Sequence, residues 1–292
     1  MLRVEKSLSE KSIDAYRNDL TRYLEFLSEN QLLNNLKEIR QIHIREYIHF
    51  ISDLEFQPTT IRRNFSSIQS FHKFLSFEKL LSTNPSQIID PPKLPKRIPE
   101  TLSVTEIDAI INAVNLKDPM GYRDKAILEV LYSAGLRVTE LCDLLLPRKI
   151  LPDKPFLKVY GKKDKERLVP IGQKAIDSIN SYKRKIRYKQ VERFKKKEKE
   201  IQHLFLSKNC WSLTRMTVNN IVKKWSQAAG ITKKVYPHIF RHSFATHLID
   251  GGANIIQIQM MLGHADVSTT QIYTHHDTLF KTSQLEQFHP RW

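Results

Sequence analysis

The sequence predicts a mainly α-helical protein of two domains, an N-terminal helical bundle and a C-terminal helical domain that carries a small antiparallel β-sheet. Three observations carry that prediction. Apolar residues recur at helical period on both sides of a proline-studded break, only 8 glycines occur in 292 residues, and a single pair of short strand-like runs flanks a glycine-led turn.

In the first domain, Ile13, Tyr16, Leu20, Tyr23, Leu24 and Leu27 recur at the spacing of one helix face, as do Ile61, Phe65, Ile68, His72 and Leu75. The run Pro91-Pro92-Lys93-Leu94-Pro95-Lys96-Arg97-Ile98-Pro99 cannot continue a helix and reads as an extended basic linker. The domains expected are therefore 1–90 and 101–292, joined by 91–100. In the second, residues 156–160 and 166–170 are the strand-like runs, and Gly161 to Lys165 is the hairpin between them. Gly135 breaks one helix and Arg137 opens the next. A helix starting near Pro237 aligns His238, Arg241 and His242 with Ala245 and Ile249, so its cationic first turn is expected in a partly buried cleft. Gly251-Gly252 is its left-handed cap, and Ile255 to Leu262 forms another helix stopped by Gly263. Ser268-Thr269-Thr270-Gln271 has the form of a capping box that places Tyr273 in the first turns of a short helix. The stretch 276–288 forms a last helix whose apolar residues, Leu279, Phe280, Leu285 and Phe288, need burial together with Trp292.

Two arginines, two histidines and a tyrosine stand out as a chemical set. A phosphodiester in its pentavalent transition state gathers negative charge on its non-bridging oxygens, and the planar forks of Arg137 and Arg241 suit those oxygens. The Tyr273 phenol can attack phosphorus and leave again, holding the bond energy in a phosphotyrosyl link, so cutting and rejoining need neither ATP nor another cofactor. His238 and His264 are the histidines of the set. Each residue alone has an ordinary structural explanation; their order and spacing together point to a nucleic-acid backbone as substrate.

The segments AGLRVTEL (134–141), GKKDKERLVP (161–170), PHIFRHSFATHL (237–248), MLGH (261–264) and STTQIYTH (268–275) resemble the bacterial tyrosine site-specific recombinases of the XerC/XerD group. The likeness runs over nearly the whole chain, and its closing His289-Pro290-Arg291 resembles the XerD tail. It implies a helical DNA-clamping domain at 1–90 and a catalytic domain at 101–292. It further implies that Arg137 and Arg241 clamp the scissile phosphate, that His238 assists the nucleophile, that His264 supports the phosphoryl oxygens, and that Tyr273 forms a 3′-phosphotyrosyl link. Lys162 would be the general acid for the 5′-oxygen, although from the residues themselves Lys162, Lys163 and Lys165 are equivalent cations, and Lys163 stands where the family commonly has glycine. The implied partners are double-stranded DNA at a specific recombination site, a XerC-like recombinase in a tetrameric synapse and a DNA translocase. The implied task is resolution of chromosome dimers at replication termini. Segment 276–288 would then dock in a neighbouring subunit. A mobile-element integrase of the same chemistry and a non-catalytic DNA-binding protein on this fold are the alternatives.

Charge agrees with a polyanionic partner. The net charge is +16, and residues 101–292 carry 32 basic against 18 acidic residues, whereas 1–100 carry 15 against 13. Residues 182–200 hold ten basic and three acidic residues with no clear apolar face, and are expected to be a solvated helix. His238 and His242 have the spacing of a zinc helix but lack its glutamate, so no metal is expected. Cys142 and Cys210 fit a reducing compartment, and with no signal-like or membrane-spanning run the expected location is the cytoplasm.

Overall fold

A computed structural model describes residues 10–29, 35–91, 100–146, 156–160, 166–194, 201–263 and 275–292, with the backbone alone at 11 and 275–281. The chain divides into two compact units, Met1–Ile98 and Pro99–Trp292.

The first unit contains α1 (Glu10–Glu29), α2 (Gln41–Asp53) and α3 (Pro58–Phe77). Pro58 sits in the first turn of α3, where its missing N–H costs nothing. Ile61, Phe65, Ile68, His72 and Leu75 are all buried along α3, and Tyr23, Leu27, Ile44, Tyr47 and Ile51 meet them. The α1 stripe is less regular than its period suggested. Leu24 is exposed, whereas Asp19 is fully buried because Arg63 grips both its oxygens at 2.8 and 3.0 Å and Ser67 adds a bond at 2.9 Å.

The second unit is built around α5 (Gly121–Ala134), which is buried along nearly its whole length. Around it lie α4 (Val104–Asn112), α6 (Val138–Cys142), α7 (Gln173–Tyr182), α8 (Tyr188–Arg193), α9 (Arg215–Ala228), α10 (Pro237–Asp250), α11 (Ile255–Leu262) and α12 (His275–Phe288). Strands β1 (Phe156–Tyr160) and β2 (Glu166–Pro170) pair antiparallel, with Val159 opposite Arg167 and Tyr160 opposite Glu166. Their inward positions are Leu157, Val159, Val169 and, among these apolar residues, Arg167. The tip that carries Lys162 lies outside the described residues.

Three expectations need correction. The basic segment does have a buried face: α7 runs through a π-helical turn at Lys183–Arg187 into α8, burying Ile179, Tyr182, Arg187, Gln190 and Val191. Arg187 spends its guanidinium on the carbonyls of Ile201, His203 and Leu204, so its charge is internal rather than solvated. On α10 the buried side is Pro237, Ile239, Phe240, Arg241, Phe244 and Leu248, whereas His238, His242 and Ile249 are exposed; of the residues aligned by period only Arg241 is buried, with Ala245 at the edge of the core. The C-terminal residues fold back onto their own unit. Leu285 is fully buried, Phe288 packs on Gly251 and Gly252, and Arg291 pairs with Glu129 and Asp108, because α5 and α4 present carboxylates that need a cation. The side chains of Leu279 and Phe280 lie outside the described residues. Among those described, no helix is long and apolar enough to cross a membrane.

Candidate active site

Gly135 ends α5 in the left-handed conformation at φ 55°, and a Cβ there would meet Phe244 Cδ1 at 2.5 Å, so only glycine lets the chain turn this close to α10. The turn delivers Arg137 to the N-cap of α6. Its backbone N–H bonds Glu140 Oε2 at 2.8 Å and its Nη1 bonds Glu140 Oε1 at 3.0 Å, while about a third of the side chain stays open to solvent. Helix α10 supplies Arg241, only 7% exposed, which donates to Gly135 O at 2.8 Å and to Leu262 O at 2.6 Å. Strand β2 supplies Arg167, which grips both Glu140 oxygens at 2.8 and 2.9 Å and donates from Nε to Met261 O at 3.0 Å.

The C-terminal end of α11 is the meeting point. Its last carbonyls have no partner within the helix and carry the negative end of its dipole. Here three successive ones are each taken by a different arginine: Met261 O by Arg167, Leu262 O by Arg241 and, at 3.2 Å, Gly263 O by Arg137. Gly263 stops the helix at φ 66°, and a Cβ on it would crowd the Arg167 guanidinium at 3.3 Å. The chain leaves this clamp directly into His264.

The electrostatics follow from the crowding. Burial alone raises the Glu140 carboxyl, but Arg167 and then Arg137 more than offset it, so Glu140 titrates below the usual carboxylate range and is ionised. Burial, with Arg137 beside it, brings Arg241 down to about 10, still a cation at neutral pH. His238, one turn before Arg241, is exposed in part, and partial desolvation of its ring, followed by the charges of Arg241, His242 and Arg137, pushes it below its ordinary value. It is therefore neutral near pH 7, the state in which an imidazole accepts a proton.

Of the six residues singled out from the sequence, Arg137, His238 and Arg241 come together here. Lys162, His264 and Tyr273 lie outside the described residues; in sequence, β2 begins after the segment that holds Lys162, Gly263 at the end of α11 directly precedes His264, and α12 starts at His275, after Tyr273. Glu140 and Arg167 were not marked by any expectation. Their signals were a glutamate three residues after Arg137, able to bond back to its N–H, and a charged residue at an inward position of β2. Among the described residues no cluster of His, Cys, Asp and Glu is arranged to hold a metal.

A family model described as phage integrase family matches residues 100–279, and one described as phage integrase, N-terminal SAM-like domain, matches residues 1–79. The chain is 38% identical to tyrosine recombinase XerD of Staphylococcus epidermidis over 290 residues, 99% of this chain and 96% of the relative. It is 39% identical to tyrosine recombinase XerC of Natranaerobius thermophilus over 293 residues, again 99% of this chain and 96% of the relative.

The chain belongs to the phage integrase family, as a tyrosine recombinase of the XerC/XerD type.

Solved structures agree on the fold of this recombinase. XerH site-specific recombinase bound to difH substrate in a pre-cleavage complex matches with a TM-score of 0.69 at 20% identity, covering 90% of this chain and 75% of that one. A lambda integrase dimer bound to a COC′ core site matches with a TM-score of 0.67 at 16% identity, covering 91% and 93%. As a tyrosine recombinase, the protein is an enzyme of site-specific recombination.

Proposed function

We propose that the recombinase cuts and rejoins double-stranded DNA at a specific site through Tyr273, with the scissile phosphate held against Arg137 and Arg241. The observation that carries this reading is the convergence of guanidinium groups from three separate segments on Glu140 and on the end of α11, immediately before His264. Arg241 gives two donors to carbonyls, and a guanidinium has five in a rigid fork, so phosphoryl oxygens can take others. The groups are fixed before substrate arrives, and charge forming at phosphorus meets donors that need not reorganise.

In this reading the Tyr273 oxygen attacks phosphorus while neutral His238 takes its proton. The 5′-oxygen leaves with a proton from Lys162, giving a 3′-phosphotyrosyl link and a free 5′-hydroxyl. His264 donates to a phosphoryl oxygen. Attack by the 5′-hydroxyl of another strand end reverses these steps and returns the tyrosine. The unit at 1–98 would clamp the duplex. XerH and lambda integrase, each bound to its DNA site, support DNA as partner. Chromosome dimer resolution with a XerC-like recombinase in a tetramer, and activation by a DNA translocase, extend this reading from the resemblance to XerD and XerC alone.

The decisive experiment uses Tyr273→Phe and a nicked suicide substrate resolved on a denaturing gel. Wild type should give a covalent protein–DNA band, and the variant should bind the same DNA with no band. A band that persists would move the nucleophile elsewhere, first to Tyr236, which caps α10 next to His238 and is exposed.

A further inference from the structure

We infer that Arg167 is a positioning residue whose task is to neutralise Glu140, so that Arg137 and Arg241 keep their charge for the phosphate. This rests on the reading that those two arginines hold the scissile phosphate. Glu140 is only 5% exposed, and its carboxylate accepts four hydrogen bonds from two arginines: Arg137 Nη1 and Arg167 Nη1 on Oε1, and Arg137 N–H and Arg167 Nη2 on Oε2. The paired, parallel contact is the one made by Arg167. Arg241 Nη1 stands 3.9 Å from Oε2, beyond a hydrogen bond.

Arg167 cannot itself serve the phosphate. It is 6% exposed, and all three of its nitrogens are engaged inward, two on Glu140 and Nε on Met261 O. Its place in β2, between inward Val159 and Val169, would suit an apolar side chain if packing were the only demand. A carboxylate is nevertheless useful there, because it orients Arg137 through both backbone and side chain. Unopposed, it would also bind the charge of Arg137 and draw Arg241 across the short remaining gap. Three guanidinium groups against one carboxylate leave two net positive charges, matched to the charge that gathers on a phosphodiester passing through its transition state. Without Arg167 only one remains.

The test compares covalent cleavage by wild type, Arg167→Met, Glu140→Gln and the double variant. Each receives a suicide substrate with an ordinary scissile phosphate and one with a neutral methylphosphonate. On the ordinary phosphate Arg167→Met should be about 10- to 100-fold slower than wild type, the scale of a lost charge-assisted interaction. On the methylphosphonate its deficit should shrink to within about threefold, because less positive charge is required there. Adding Glu140→Gln to Arg167→Met restores two net charges and should recover cleavage of the ordinary phosphate relative to Arg167→Met alone.

Equal deficits on the two substrates, no gain in the double variant, or full activity of Arg167→Met would each overturn the inference. Should Arg167→Met fail to fold, the double variant, with no unpaired buried charge, is compared with Glu140→Gln on both substrates, and loss of most activity on adding Arg167→Met would again overturn it. Arg137→Ala is the reference for the underlying reading. If its own deficit does not shrink on the methylphosphonate, phosphate binding by Arg137 fails, whereas a shrinking deficit in Arg137→Ala beside an unchanged one in Arg167→Met isolates the failure to Arg167.

Discussion

At the scale of single residues, the site is a problem of placing like charges close together without losing them. Arg241 is buried beside Arg137; carbonyl oxygens hold both, and Glu140 bonds Arg137. Partial desolvation, and after it the same charges, keep His238 neutral, which sets the pH dependence of cleavage. Its ordinary value is about 6.5, and here the folded protein lowers it, so the proton-accepting form persists as pH falls through 6.5 and is lost only below that. The rate of covalent complex formation should therefore be level at neutral pH and decline on an acidic limb whose midpoint lies below 6.5. In His238→Gln that limb should be absent or displaced. A limb centred above 6.5, or one unchanged in the variant, would assign the titration to another group. Arg137, His238 and Arg241 were legible in the sequence because each falls in a short motif of fixed order. Glu140 and Arg167 were not, since a charged side chain reads as surface until its partner is known, and these partners are 27 residues apart, on α6 and β2.

At the scale of elements, strands 156–160 and 166–170 and helix 255–262 appear where their turn and cap residues placed them. Period alone served less well. Helix α10 buries residues on two sides, so a single aligned stripe could not say which residues face the core, and Arg241 is enclosed while its neighbours His238 and His242 are not. The α5–α6 turn offers the sharpest test at this scale. Gly135 adopts a left-handed backbone, faces the Phe244 ring and gives its carbonyl to Arg241, while its chain continues into Arg137. Gly135→Ala should combine about 1–2 kcal/mol of backbone strain with about 1–3 kcal/mol of overpacking. It should also displace both arginines together. Denaturant unfolding and suicide-substrate cleavage measured side by side would check this: stability should fall and cleavage should fall further than the loss of folded protein explains. Unaltered stability would mean that Phe244 can step aside at no cost.

At the scale of the whole molecule, the excess of basic charge in residues 101–292 coincides with the unit that holds the arginine cluster, although part of it, such as Arg187 and Arg291, is consumed internally. The C-terminal residues show how a tertiary contact overrides a reading made from apolar residues alone. Leu285, Phe288 and Trp292 needed burial, which a neighbouring subunit could have supplied; what decides for the chain's own unit is polar. Glu129 on α5 is 2% exposed, and Arg291 meets both its oxygens while also pairing with Asp108 on α4. His289 packs against Tyr132 and Phe244, and Trp292 closes over Gly172, where even a Cβ would lie 2.9 Å from its Cα. Removing residues 289–292 should thus leave Glu129 as an unpaired buried charge and lower the stability of this unit by about 3–5 kcal/mol. Glu129→Gln in the shortened chain should recover part of that loss, because the amide needs no counter-ion. Denaturant unfolding of the full-length, shortened and doubly altered proteins checks the claim. If the shortened protein unfolds at the same denaturant concentration as the full-length one and is defective only in assembly, these residues belong to a neighbour's surface after all and the intramolecular contact carries no stability.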